Sequence, residues 1–278
     1  MKNVVIVDAC RTAVGSMGGS LKPLSAYDLA CAVLKGTLER SGIDPKEVDE
    51  VVLGHCRQTS DEPNIARMAA LKVGIPETAS AYTVMRQCAS AMTAVQNGAM
   101  SIMCGLNDVV IAGGTESMSN AVFYLRNARW GLGTGNTELV DALTEGQFRS
   151  QPQEVYGRYN MGATAENIAQ ELHISRQAQD EFSLTSQRRA VAAIDAGKFK
   201  DEIVPVEVPQ GRKSPPSSLI PTSSPAGTPA RRRWPSSSPA STSARTRKAG
   251  CTALPSLPAP SPPPAPPAAT TAPPPCCS

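Results

Sequence analysis

Histidine is nearly missing from this chain of 278 residues: His55 and His173 are the two it has. Neither sits in a Cys/His cluster, and no Cys-x-x-Cys pair occurs, so no zinc site is expected. No apolar run reaches the ~20 residues that a membrane-crossing helix needs, so no membrane partner is expected. Met1–Cys10 is a short apolar strand rather than a signal peptide. The eight cysteines are unpaired in spacing, which suits a reducing, cytoplasmic setting. Acid is missing too, but only from one end: no Asp or Glu follows Glu207.

That last absence divides the chain. Residues 1–213 hold 21 Lys and Arg against 24 acids, so 21 − 24 = −3, whereas residues 214–278 hold six bases and no acid, or +6. Of 25 prolines, 18 fall in the second segment. The first segment reads as a soluble, enzyme-like α/β domain. The second is a Pro/Ser/Ala-rich tail that cannot bury a core and is expected to be disordered. Its cluster Arg231-Arg232-Arg233 beside Trp234 is read as a solvated charge run, so no nucleic-acid partner is expected.

What is present before residue 213 is a regular alternation. Asn3–Ala9 is a continuous apolar run, as buried strands are. Ser25–Ser41 carries Leu29, Ala32, Val33, Leu34 and Leu38 at helical intervals until Gly42 and Pro45 stop it. Val48–His55 reads as a strand and Asn64–Val73 as a helix ended by Gly74 and Pro76. A third strand, Ala81–Val84, is followed by a helix bearing Ala91, Val95, Ala99 and Met103. Asp108–Gly113 is a fourth strand. This pattern predicts a parallel-rich sheet covered on both faces. Residues 120–160 read as irregular. Met161–Glu171 and Ser175–Gly197 read as helices, the latter capped by Ser175. Ile203–Val208 reads as a short edge strand, because Pro205 cannot donate to a ladder.

Cys88 lies in Val84-Met85-Arg86-Gln87-Cys88-Ala89-Ser90-Ala91-Met92, between a strand and a helix. Free N–H groups and the dipole at a helix N-terminus favour a thiolate, the nucleophilic form of cysteine. Position alone leaves the other reading open, a small buried hydrophobe. The two histidines are expected to be surface or satisfied core residues.

The wording of this stretch resembles the Asn-x-x-Cys-x-Ser-Gly segment of the thiolases. Further matches keep the order: Arg11-Thr12-Ala13-Val14-Gly15 with Gly18-Gly19-Ser20-Leu21; Asn64-Ile65-Ala66-Arg67; Gly113-Gly114-Thr115-Glu116-Ser117-Met118-Ser119; and Tyr159–Asn167. Ala91 stands where the family motif has Gly, and Asn160 where a His often precedes Met-Gly. The resemblance implies the first half of the duplicated thiolase fold over residues 1–119. It implies a loop-domain segment over 120–213, then the tail over 214–278. It makes Cys88 the residue that carries an acyl group as a thioester. It places Asn160 and Met161 beside coenzyme A. Acyl-CoA thioesters are then the substrates, with no other cofactor or metal, and a homo-oligomer is the expected assembly.

The implied reaction is acetyl-CoA C-acetyltransfer, two acetyl-CoA giving acetoacetyl-CoA and CoA, or its reverse. A 3-ketoacyl-CoA thiolase of β-oxidation is the alternative. The family's later motifs, Gly-His-Pro, Cys-x-Gly-Gly-Gly and Asn-Glu-x-Phe, do not occur, so impaired turnover is expected. Residues 216–243 decode in another reading frame as PIVFDTDEFPRGDTSAEALAKLKPGFDK, and residues 270–277 as NDGAAALL. Both resemble thiolase sequence, so the tail reads as an out-of-frame continuation. A non-catalytic binding or assembly subunit is the competing class.

Overall fold

The computed structural model describes residues 2–209 and 217–219. Helix α1 spans Ala26–Ser41. Ser25 and Asp28 form a capping box at its start, and Gly42, at φ 70°, closes its end in the left-handed region that glycine tolerates. Strand β1 (Glu50–Gly54), helix α2 (Ile65–Lys72), strand β2 (Ser80–Val84), helix α3 (Ser90–Met103) and strand β3 (Val110–Gly114) follow. The three strands form one parallel sheet in the order β2-β1-β3. The chain steps one way through α2 and back through α3, so right-handed crossovers put these helices on opposite faces.

The main core lies where α1 and α2 meet the central strand. Leu34, Val51, Leu53 and Ile65 are buried together with Ala30, Ala66 and Ala69. Burying a side chain of this size contributes ~1.5–3 kcal/mol each. The Asn64–Arg67 motif acts as a staple here. Asn64 Oδ1 accepts the Arg67 N–H, Asn64 Nδ2 donates to Ala81 O at 3.1 Å, and Arg67 Nη1 donates to Ala79 O at 2.6 Å. These bonds fix the entry to β2, and so the place where β2 ends.

On the other face α3 lies against β1 and β3 at backbone distance. A Cβ on Gly54 would stand 2.8 Å from Ala91 Cα and still nearer Ser90 C and Ala91 N. A Cβ on Gly114 would stand 2.7 Å from Ala91 Cβ. The alanine that replaces the family motif's glycine is therefore accommodated by glycines on the two strands beneath it.

After the sheet come a short antiparallel pair, β4 (Phe123–Leu125) with β5 (Leu139–Asp141), and helices α4 (Ala142–Phe148) and α5 (Gln153–Tyr156). Residues 120–160 are thus not wholly irregular. The runs were too short for periodicity, and pairing across 14 or more residues leaves no local mark. Helix α6 (Met161–Glu171) has the expected bounds, and α7 (Arg176–Asp195) starts at its Ser175 cap. Neither has a buried residue. Strand β6 (Val206–Val208) pairs antiparallel with β7 (Ser217–Leu219), and Val206 and Val208 join Leu21, Leu24 and Leu29 in a second cluster. Apart from β7, the segment from 214 onward lies outside the described residues.

One expectation fails. Asn3–Ala9 is not a buried strand: it forms no ladder, and Val5 and Ile6 are 76% and 82% exposed. Apolar composition suits a strand but does not supply a neighbour, and no strand lies beside this segment among the described residues.

The close approach at Gly54 sets a test. Gly54→Ala is expected to destabilise the chain by ~1–3 kcal/mol, as overpacking does. Gly113→Ala, whose new Cβ would meet nothing nearer than Leu53 Cδ2 at 3.9 Å, is expected to leave the denaturant midpoint almost unmoved.

Candidate functional site

Strands β1, β2 and β3 run parallel with Gly54 level with both Val84 and Gly114. Their carboxyl ends therefore finish together, where open parallel sheets bind ligands. Three loops leave this rim: His55–Arg57, Met85–Ala89 and Thr115–Ser117. Backbone bonds tie them at the base, His55 N to Val84 O at 3.1 Å and Thr115 N to Gly54 O at 3.0 Å.

The middle loop carries Cys88, two residues before the first residue of α3 and exposed to solvent. Gln87 precedes it with φ 50°, a left-handed conformation uncommon outside glycine. The turn is held through the Gln87 carbonyl. It accepts from Ser90 N at 3.0 Å, Ser90 Oγ at 2.6 Å and Cys56 Sγ at 2.9 Å. Ser90 Oγ also accepts the Arg86 N–H at 2.8 Å, so one buried serine clasps both sides of the turn. Helix α3 has no side-chain cap.

Cys56 is the second thiol of the rim. Burial pushes its thiol above the ordinary cysteine range; its contact with Ser90 pulls the other way, and Glu116 adds to the rise. A neutral thiol is what a donor to a carbonyl must be. Beside it, His55 is 2% exposed, with Nε2 3.1 Å from Glu116 Oε1. The approach is off the hydrogen-bond direction: His55 Nδ1 and Glu116 Oε1 have no hydrogen-bond partner among the described residues. Glu116 Oε2 accepts the Cys56 N–H at 2.8 Å. Burial raises the Glu116 carboxyl, but the His55 ring and the Cys56 N–H outweigh it and leave it below its ordinary range.

Helix α4 and the turn after it flank these loops. Gln87 Nε2 donates to Ser150 Oγ at 3.4 Å, and Gly146 lies against the Arg57 guanidinium. Next to Gly146, Glu145 draws in Arg126 at 3.0 Å, Arg158 at 3.6 Å and Arg149. One carboxylate among three guanidiniums leaves excess positive charge.

Asn160 is the N-cap of α6, its Oδ1 accepting the Ala163 N–H at 2.8 Å, and Met161 is exposed. Among the described residues no hydrogen bond joins either to the Cys88 loop. His173 is exposed in the turn between α6 and α7. His55 corrects the expectation: it is neither on the surface nor fully satisfied, because the strand register drives it under the rim. With Cys56, Ser90 and Glu116 it was missed as a site residue. The signal that finds it is position, since each of these residues abuts the end of a parallel strand or the start of α3.

The thiolase N-terminal domain profile matches residues 4–218. The chain is 43% identical over 229 residues to a Pseudomonas aeruginosa acetyl-CoA acetyltransferase, covering 82% of this chain and 57% of that protein. It is 45% identical over 216 residues to a Cupriavidus necator acetyl-CoA acetyltransferase, covering 77% and 54%. The crystal structure of the Bacillus anthracis acetyl-CoA acetyltransferase superposes with a TM-score of 0.73 at 42% identity, over 78% of this chain and 54% of that one. The chain belongs to the thiolase family and has its α/β fold. It spans about half the length of these relatives, 54–57%. Among the described residues, no helix is long and apolar enough to cross a membrane.

The Glu116 environment predicts a pH dependence. A carboxyl held below its unfolded value stabilises the fold above that value and loses this as pH falls through the folded one. From about pH 5 downward, the wild-type denaturant midpoint is expected to fall more steeply than that of Glu116→Gln. Parallel curves would remove the ionised carboxylate from the rim.

Proposed function

We propose that this chain is a thiolase-type acyltransferase unit that takes an acetyl group from acetyl-CoA onto Cys88. The observation that carries the reading is the exposed Cys88 sulfur at the joined strand ends and the start of α3. In the proposed step the Cys88 thiolate attacks the thioester carbonyl. A new carbon–sulfur bond forms, the bond to the coenzyme A sulfur breaks, and coenzyme A leaves as a thiolate that takes up a proton. The N–H of Cys88 helps to stabilise the oxyanion. In the completing step, a deprotonated acetyl-CoA carbon attacks the acyl group; a carbon–carbon bond forms, the bond to the Cys88 sulfur breaks, and acetoacetyl-CoA leaves with Cys88 returned as its thiolate.

Coenzyme A thioesters are the proposed substrates, with no further cofactor. The positive charge around Glu145, next to the residue that abuts Arg57, suits the phosphates of coenzyme A. Asn160 and Met161 are retained as its neighbours in the proposal. The completing step needs a base. His55 is buried beneath the rim and Cys56 is a protonated donor, so neither is offered for it. A chain acting with these residues alone accumulates acyl-Cys88 and turns over slower than an intact relative by roughly three or more powers of ten.

Incubation of the full chain with radiolabelled acetyl-CoA tests this. One acetyl group per chain is expected on the Cys88 peptide, and none in Cys88→Ser. An unlabelled chain, or label surviving in Cys88→Ser, overturns the assignment.

A further inference from the structure

The peptide group that joins Gln87 to Cys88 has a different task at each end. Its carbonyl accepts from Ser90 N, Ser90 Oγ and Cys56 Sγ at 3.0, 2.6 and 2.9 Å. Its N–H belongs to Cys88. The group is planar, and no peptide bond among the described residues is cis. Carbonyl and N–H of a trans peptide point in opposite directions. Whatever aims the Gln87 carbonyl therefore aims the Cys88 N–H as well. The N–H is turned away from the three donors, and no hydrogen bond from it occurs among the described residues.

The three donors are not equivalent. Both donors on Ser90 lie three residues on, inside the same turn. They set the internal shape of the turn and move with it. Cys56 stands on another loop, two residues beyond the end of β1 and 31 positions away in sequence. Of the three, it is the donor that fixes the peptide plane relative to the sheet. Its own place is held from a third loop. The Cys56 N–H donates to Glu116 Oε2 at 2.8 Å, and Glu116 Oε1 stands 3.1 Å from Nε2 of the buried His55. The loops after all three strands thus meet in one line of contacts that ends on the Cys88 N–H.

We infer that Cys56 is a positioning residue for acyl transfer: its S–H, by holding the Gln87 carbonyl, aims the Cys88 N–H at the oxygen of the thioester under attack. The inference rests on the acyl transfer proposed for Cys88. As the sulfur electron pair forms the bond to the acyl carbon, the carbonyl π pair moves onto oxygen. That oxyanion is what the N–H meets. A donor fixed in advance needs no reorganisation when the charge develops, which is why aiming it matters. Cys56 acts through the peptide group and not on the substrate. This separates its role from a merely structural one. Attack on a thioester develops an oxyanion. Displacement of iodide from the saturated carbon of iodoacetamide, by the same sulfur, develops none.

The test measures two rates at Cys88 in the full 278-residue chain: acetylation by radiolabelled acetyl-CoA and alkylation by iodoacetamide, each read on the Cys88 peptide. Cys56→Ala and Cys56→Val remove the donor, one with a smaller side chain and one with a bulkier one, and Cys56→Ser keeps it. Melting curves identify the variants folded at the assay temperature, and one folded donorless variant suffices. Such a variant is expected to acetylate at least ~10-fold more slowly while alkylation stays within about 2-fold, since only the first reaction uses the aimed donor. Cys56→Ser is expected to bring acetylation back to within about 3-fold of wild type, because a hydroxyl donates to the same carbonyl. Four results would overturn the inference while leaving acyl transfer to Cys88 standing: unchanged acetylation in a folded donorless variant, acetylation and alkylation falling by the same factor, Cys56→Ser no faster than Cys56→Ala, or unfolding of both donorless variants. A wild-type chain that takes no label overturns the inference and the acyl transfer together.

Discussion

The carbonyl of Gln87 is the point on which the site depends. It takes hydrogen bonds from Ser90 N, Ser90 Oγ and Cys56 Sγ, and so holds a left-handed turn that a glutamine does not choose for itself. Cys88 is the next residue, and its sulfur is placed by that turn. The three donors come from two elements, the start of α3 and the loop after β1. The Cys88 loop is thus fixed to the sheet and the helix at once. The close approach of α3 to Gly54 and Gly114 brings those elements near enough for this to happen.

Electrostatics follows from the same junction. Cys56 serves the turn only as a protonated donor, and burial keeps it so. Glu116 takes the Cys56 N–H and stands against the His55 ring. The rim thus holds two thiols with opposite conditions, one half-buried and neutral, the other exposed. The difference arises from environment, since both are ordinary cysteines by sequence.

Local signals made much of the fold legible. Ser175 was legible as a cap, because a cap is a contact over three residues; Ser25, Asn64 and Asn160 cap their helices in the same way. Cys88 was found because a strand-to-helix change is also local. His55 and Glu116 were not, because 61 positions separate them (116 − 55) and strand register alone brings them together. Asn3–Ala9 shows the converse. Its residues favour a strand, but a strand is made by its neighbour, and this one faces a cavity instead.

The most direct test of the account is the alkylation rate of each thiol in the folded chain, read by peptide mass spectrometry under limiting iodoacetamide. The account predicts that Cys88 reacts at least ~10-fold faster than Cys56, the exposed sulfur before the protonated donor. Equal rates at the two, or a Cys88 protected until the chain unfolds, would contradict it.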